Sequence, residues 1–501
     1  MNNSNINIKP ASGFGKRACP LGVIVIIFIL SLCTLQKLTS QISQTLYFME
    51  RLPQSSLLNP SHQHTHNFHL GLPVISSFNV NARTNFANFN DLVFKHPNQD
   101  SLISFLHPDA NIEDFTSKLR NRNFIAPDLH INLLSFGFRV KNSFVSFSLS
   151  ERSSGRLALP KDLVLLGLHG NEQFAGKNAD FSSIGADLNY YREYALGYSH
   201  IVDDRLTVGA RGKLLFGKAN ISFADTDISL YTDADTYHMR MQSKFTVNMS
   251  LPVHLEIRDG EIADASAHFD NSDYDPLDFV FKSSNTGFAI DLGATYKLIE
   301  PVTLYASITD LGFINWKDDV YNLSMDGDFE FDGLDVSSVF NSGDDSDPGE
   351  DILDELNEKF KISATENSYR SGLPARLFVG GMYELNPVIG FGLLSRSEVY
   401  QNRLEQAVTL SANSNIGRWL SASLSYSMMN NSYNNVGMGL SLRGGGFQLY
   451  VLSDNLNSTF YPHRTNSVNL WFGLNLIFGH KSAAAPRGDT LDKYDTPISD
   501  P

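Results

Sequence analysis

The sequence predicts an all-β fold, an antiparallel transmembrane β-barrel of about 14 strands (roughly 12–16) with small helical insertions. Three observations predict it. Apolar and polar residues alternate with period two, not 3.6, in rows that recur along the whole chain. The rows are roughly 8–13 residues long, the reach of a tilted membrane strand, whereas strands of soluble sheets average nearer 5–6. After residue 40 no run of 18 or more apolar residues occurs, so no spanning helix is available to carry the chain through lipid. A secreted soluble β protein also alternates, but with shorter strands, and is the alternative. Lipid contact forces closure, because an open edge would strand backbone N–H and C=O groups in hydrocarbon.

The elements follow in order. Lys16 and Arg17 precede the apolar run Leu21 to Leu35, and the more polar QKLTSQ follows it, so residues 1–40 read as a cleaved signal peptide with cleavage near Ser40. A retained anchor is the bland alternative. Leu30-Ser31-Leu32-Cys33 lacks the small residue of a lipidation box at Leu32. Cys19 and Cys33 both fall in this segment, so the rest of the chain has no thiol chemistry. Losing its four basic residues takes Lys+Arg from 39 to 35 against 54 acidic residues, a net charge of −19. That charge excludes nucleic acid as a partner, and 42% hydrophobic residues exclude a disordered chain.

Residues 41–75 are expected to form an N-terminal periplasmic or lumenal segment, 76–479 the barrel, and 480–501 a flexible periplasmic tail. The first good rows are Leu134, Phe136, Phe138, Val140 and Val145, Phe147, Leu149, joined by the tight turn Lys141-Asn142. Tyr194 to Tyr198, then Leu206 to Phe216, continue the pattern, the latter backed by Arg211 and Lys213. A row from Tyr237 to Met249 is opposed by Arg240 and Lys244. Phe288 to Tyr296 is opposed by Asp291 and Lys297. In the later half, Leu420, Ala422, Leu424, Tyr426 and Met428 alternate with four serines, and Val436 to Leu442 alternates with Asn435, Gly437, Gly439, Ser441 and Arg443. Several rows end on Phe, Tyr or Trp, as interfacial aromatic girdles do. The polar faces are assigned to the lumen, with Arg211, Lys213, Arg240, Lys244, Asp291, Lys297 and Arg443 as lumen-facing candidates. Short helices are expected at 159–167, where Pro160 precedes an apolar run ending at Gly167, and at 350–360, where Ile352, Leu353, Leu356 and Phe360 share a face.

Candidate chemistry is sparse. His62, His64 and His66 alternate in HQHTHNFH and would share one face of an extended segment, a weak metal-ligand pattern against the commoner reading of a polar lead-in. Asp326, Asp328 and Glu330 would align on one side of a strand, a weak cation patch that lacks the closing Glu of a calcium loop. Ser199-His200 is the adjacent nucleophile-and-base pair, with no orienting third group in view. The chain therefore reads as non-catalytic, with no cofactor.

Gly473, Leu476 and Phe478 fit the spacing Gly, apolar, aromatic, which resembles the C-terminal strand signal read by the barrel-assembly machinery of Gram-negative outer membranes. Ser307-Ile308-Thr309-Asp310-Leu311-Gly312-Phe313-Ile314-Asn315-Trp316, Leu373-Pro374-Ala375-Arg376-Leu377 and Leu58-Asn59-Pro60 together resemble the DUF5723 family of Bacteroidota outer-membrane barrels, over roughly residues 45–480. That family resembles FadL-type transporters of hydrophobic compounds and the PorV and PorP/SprF barrels of type IX secretion and gliding. The resemblance implies outer-membrane localisation, outer-membrane lipid as a partner, and inserted helices that partly close the lumen. It implies a transport channel for small or hydrophobic solutes, or a structural barrel bound to envelope or secretion proteins.

Overall fold

The computed structural model describes residues 44–96, 98–258, 261–267, 276–331, 363–400, 403–429 and 432–480. Fourteen antiparallel strands close into a barrel. Strand β1 is broken, His66–Gly71 then Phe78–Thr84. It is followed by β2 (Arg122–Val140), β3 (Ser143–Pro160), β4 (Gly185–Ile201), β5 (Leu206–Thr232), β6 (Asn285–Ile299) and β7 (Val302–Trp316). Strand β8 is also broken, Tyr369–Gly372 then Ala375–Glu384. After it come β9 (Ile389–Tyr400), β10 (Arg403–Ile416), β11 (Leu420–Met429), β12 (Ser432–Gly444), β13 (Phe447–Ser453) and β14 (Ser467–His480). Both halves of β1 pair with β14 on one side and β2 on the other, and this closes the ring.

The wall is inside-out relative to a soluble protein. On β11, Ser421, Ser423, Ser425 and Ser427 are buried, Ser427 at 1% exposure, while Leu424 on the alternate face is 54% exposed. Leu196, Leu214, Phe391, Leu410 and Leu449 are likewise exposed on their strands. Period-two side chains point to opposite faces, so the exposed apolar face forms an outer belt suited to hydrocarbon and the polar face lines the lumen. Among the described residues no helix is long and apolar enough to cross a membrane.

Short turns gather at one end, including Lys141-Asn142 with Lys141 at φ 53°. His66 of β1 lies opposite His480 of β14 at the same end, which by the usual disposition of such barrels is the periplasmic one. Long connections crowd the other end. One carries helix α1 (Lys161–His169), which starts after Pro160 and so two residues later than expected. The expected helix at 350–360 lies outside the described residues.

Three further expectations need correction. The barrel begins at His66, ten residues before the expected boundary, because the short segment His66–Gly71, with only Phe68 and Leu70 as large apolar residues, finds strand partners on both sides. Trp316 and Trp471 do not join a girdle; both are buried inside the barrel, with Trp316 packed into the space left by Gly217. The row Met239–Ser250 is not part of the barrel wall. It pairs with the outer half of β5 and with Val320–Phe331 to build a sheet beyond the ring.

Candidate functional site: the plugged lumen

The break in β1 has a local cause. Residues Leu72 to Ser77 include Pro73, which cannot donate to a ladder, and Val74 at φ 67°, a left-handed conformation unusual for a β-branched residue. The chain turns inward there, burying Ser76 and Ser77. Gly473 on β14 makes the room, since a Cβ at that position would stand 2.1 Å from the Ser76 carbonyl oxygen. One residue of the expected assembly signal therefore serves the kink, while Leu476 and Phe478 lie on the opposite face of β14 and Phe478 is exposed.

The segment Gln44 to Thr65 fills the lumen. Leu46, Tyr47, Phe48, Met49 and Leu52 pack against Tyr305, Phe378, Leu394, Tyr450, Leu452 and Trp471 of the wall. Polar contacts anchor the plug along its length. Thr45 donates its Oγ1–H to Asp454 Oδ1 at 2.6 Å, and Gln44 and Thr45 donate their backbone N–H groups to the same carboxylate. Tyr305 donates to Glu50 Oε1 at 2.7 Å, Ser307 Oγ to the Leu58 carbonyl at 2.7 Å, and Gln54 to Asn475 at 2.8 Å. Pro60 runs so close to β5 that a Cβ at Gly209 would sit 2.2 Å from its carbonyl oxygen.

Beside the plug lies a buried ionic network. Lys213 Nζ reaches Asp291 at 2.8 Å and Asp310 at 2.5 Å. Asp310 also takes Arg376 Nη1 at 2.5 Å, and Arg376 Nε reaches Glu398 at 2.9 Å, which Arg396 shares. Arg152 pairs with Glu193 at 3.1 Å and Arg156 with Glu405 at 2.6 Å. Asp310 reaches the centre because β7 bulges there: Thr309 and Asp310 both lie between the partners of Ile290 and Leu292. Its φ of 59° is the left-handed conformation that Asp tolerates better than most residues. Charges this deep are held by mutual pairing, since an unpaired one would be strongly disfavoured.

Sequence reading placed Arg211, Lys213 and Asp291 in the lumen, and all three are buried there. Arg443 and Lys297 stand at the rim where the short turns gather, Lys297 bonded to Glu300 at 2.8 Å. Arg240 and Lys244 are corrected: both are exposed on the sheet beyond the ring. There they lie opposite Glu330 and Asp326 in register, with Gln242 opposite Asp328. Arg240 Nε donates to Glu330 Oε1 at 2.7 Å, so one of the three carboxylates is held by an ion pair. His62, His64 and His66 are buried in and beside the plug. His64 and His66 stack at 5.1 Å, and His66 Nε2 lies 3.1 Å from His69 Nδ1, but among the described residues no three such side chains converge to hold a metal ion. Ser199 and His200 point to opposite faces of β4, Ser199 accepting from Gln63 and His200 contacting Ser143.

Asp310, Arg376 and Glu398 were missing from the sequence-derived lumen residues. The signal for the first two was present, because they sit in the quoted SITDLGFINW and LPARL stretches. Those two motifs meet through the Asp310–Arg376 pair, and the third, Leu58-Asn59-Pro60, meets the first through the bond from Ser307 to Leu58.

No curated protein is detectably similar to this chain. Among solved structures, the toluene transporter TodX of Pseudomonas putida is 10% identical, with 85% of this chain and 95% of that one covered at a TM-score of 0.38. The toluene transporter TbuX of Ralstonia pickettii is 10% identical over 85% and 93%, at 0.39. A FadL homologue of Pseudomonas aeruginosa is 10% identical over 85% and 94%, at 0.36. Residues 60–454, which run from the Pro60 contact through all but the last strand of the ring, match the family of unknown function DUF5723, and the chain belongs to that family.

Proposed function

We propose that this protein is a non-catalytic transport channel of the outer membrane, closed at rest and passing small solutes when its N-terminal segment leaves the lumen. One observation carries the reading. The segment that blocks the barrel is attached to the wall by hydrogen bonds at Asp454, Ser425, Tyr305, Ser307 and Asn475, and the wall behind it is rich in Ser, Asn and paired charge. Water replaces these polar contacts at little net expense, because a protein hydrogen bond is worth only about 1 kcal/mol over its hydrated alternative, so the apolar contacts of Leu46, Tyr47, Phe48, Met49 and Leu52 are the main resistance to release.

The test is electrical. In planar bilayers the full chain is expected to be closed, and a variant lacking Gln44 to Ser56 to give steady currents. Thr45 Oγ1 and Ser425 Oγ lie 2.7 Å apart, close enough for a disulfide in the paired variant Thr45→Cys, Ser425→Cys. With both natural cysteines in the first 40 residues, that bridge would have no competitor in the barrel. The locked variant is expected to stay silent until a reductant is added. A truncated barrel that folds but passes no current would overturn the channel reading and leave a structural partner of envelope proteins in its place.

A further inference from the structure

One buried guanidinium beside the ionic network makes no salt bridge of its own among the described residues. Arg83, near the outer end of β1, is 8% exposed, yet its Nε and Nη1 have no hydrogen-bond partner. Of the carboxylates nearest in charge, none bonds Arg83, and Glu405 and Glu398 are held by other arginines. Asp128 accepts from Asn81 at 3.1 Å, Glu405 takes Arg156, and Glu398 takes Arg376 and Arg396. Arg83 is instead packed over the Phe124 ring at 5.4 Å, and Arg156 lies over the same ring at 5.2 Å. Two cations thus share one aromatic support.

Arg83 faces a polar cleft in the outer half of the lumen, lined also by Asp128, Ser154, Arg156, Asp187 and Arg376, with Ala126 and Pro374 as apolar wall. We infer that this cleft binds a small solute bearing a single carboxylate, with Arg83 as its anchor and Arg156 as the second cation. The inference rests on the channel reading and names the solute class for it. Three properties select the class. A guanidinium offers planar paired donors that match a carboxylate. A buried cation with unused donors is stabilised by whatever acceptor enters. Asp128, Asp187 and Glu398 on the same wall repel a second negative charge, which disfavours doubly charged phosphate.

The experiment uses the full chain in detergent, closed by its plug, and follows saturation transfer from protein to ligand by NMR during titration. Butyrate is expected to bind saturably, butyramide and inorganic phosphate at least tenfold more weakly. Arg83→Gln is expected to weaken butyrate about tenfold, and Arg83→Lys to restore part of that loss. Asp128→Asn, which removes a repelling charge, is expected to tighten butyrate severalfold. That gain cannot arise from misfolding, so it keeps the test open if the Arg83 variants fail to fold. No saturable butyrate signal, equal binding of butyramide, or unchanged affinity in Arg83→Gln would overturn the site. So would tighter binding of phosphate than of butyrate. Because binding is read on the closed barrel, current without butyrate binding removes this site alone, and binding without current removes the channel reading alone.

Discussion

Asp310 joins most of what holds the wall around the lumen. It accepts from Lys213 and Arg376, and its backbone N–H donates to Asp291 at 2.7 Å. Removing one member of a buried ionic cluster strands the others, with a typical destabilisation of about 3–5 kcal/mol. Asp310→Ala is therefore expected to lower the unfolding free energy in micelles by that order, seen as an earlier denaturant midpoint, whereas replacement of exposed Glu330, whose pair with Arg240 is solvated, changes it little. A second expectation concerns Gly473. Its added Cβ would meet backbone, the Ser76 carbonyl, not the end of a flexible side chain. Gly473→Ala is expected to cost about 1–3 kcal/mol and to lower the temperature at which the folded band is lost in a heat-modifiability gel. Neither role was legible from the residues alone. Asp310 interrupts the period-two pattern by occupying a bulge, so counting faces skips it, and Gly473 matters through Ser76, nearly 400 positions away.

Among the elements, the plug was the least legible and the strands the most. Serines and leucines alternate along β11 because each residue meets one of two media, and that record is local. Leu46, Tyr47, Phe48 and Met49 run consecutively with no period, since the barrel wall surrounds them on all sides. Their partners are strands more than 250 residues distant. The plug nonetheless carries its own pH signature. His62 and His64, ahead of the first strand, are held by burial at about 3 and about 4, far below the usual imidazole value. A ring that resists protonation when folded but accepts a proton near pH 6.5 when released gives the unfolded state the greater proton uptake between those values. Stability then falls as pH drops below about 6.5 and continues to fall until the folded-state values are reached. The loss between pH 7.5 and 4.5 is expected to be roughly 3–5 kcal/mol for the two rings together. Protease cleavage within 44–65 should rise steeply over that window, and much less in His62→Phe, His64→Phe. An unchanged cleavage rate across the window would mean that the rings are solvated in the folded barrel.

For the whole molecule, the deciding property is which medium touches each face, and alternation answers that only together with length. Period two says that two faces differ; it does not say which is outside. The rows exceed what a sandwich core needs and no helix among the described residues is long and apolar enough to span a membrane, so the apolar side is assigned to hydrocarbon, and the exposure of Leu424 against the burial of Ser425 agrees with it. What escaped sequence reading at this scale is that Met239–Ser250 has the same alternation yet leaves the ring. There the apolar face of Met239, Met241 and Phe245 covers Phe174, Phe181, Ile228 and Leu230, a small protein core that imitates the lipid pattern. These two environments are separable by chemistry. In proteoliposomes containing a lipid with a photoactivatable acyl chain, carbene insertion is expected at Leu196, Leu214, Phe391, Leu424 and Leu449. It should be absent from Met239 and Met241 of the outer sheet and from Leu46 and Leu52 of the plug, although all of these are apolar. Labels on the outer sheet at the level of the belt would mean that the sheet lies in the membrane instead of beyond it. Labels missing from Leu424 and Leu449 would remove the lipid contact on which the closed ring, its polar interior and the need for a plug all depend.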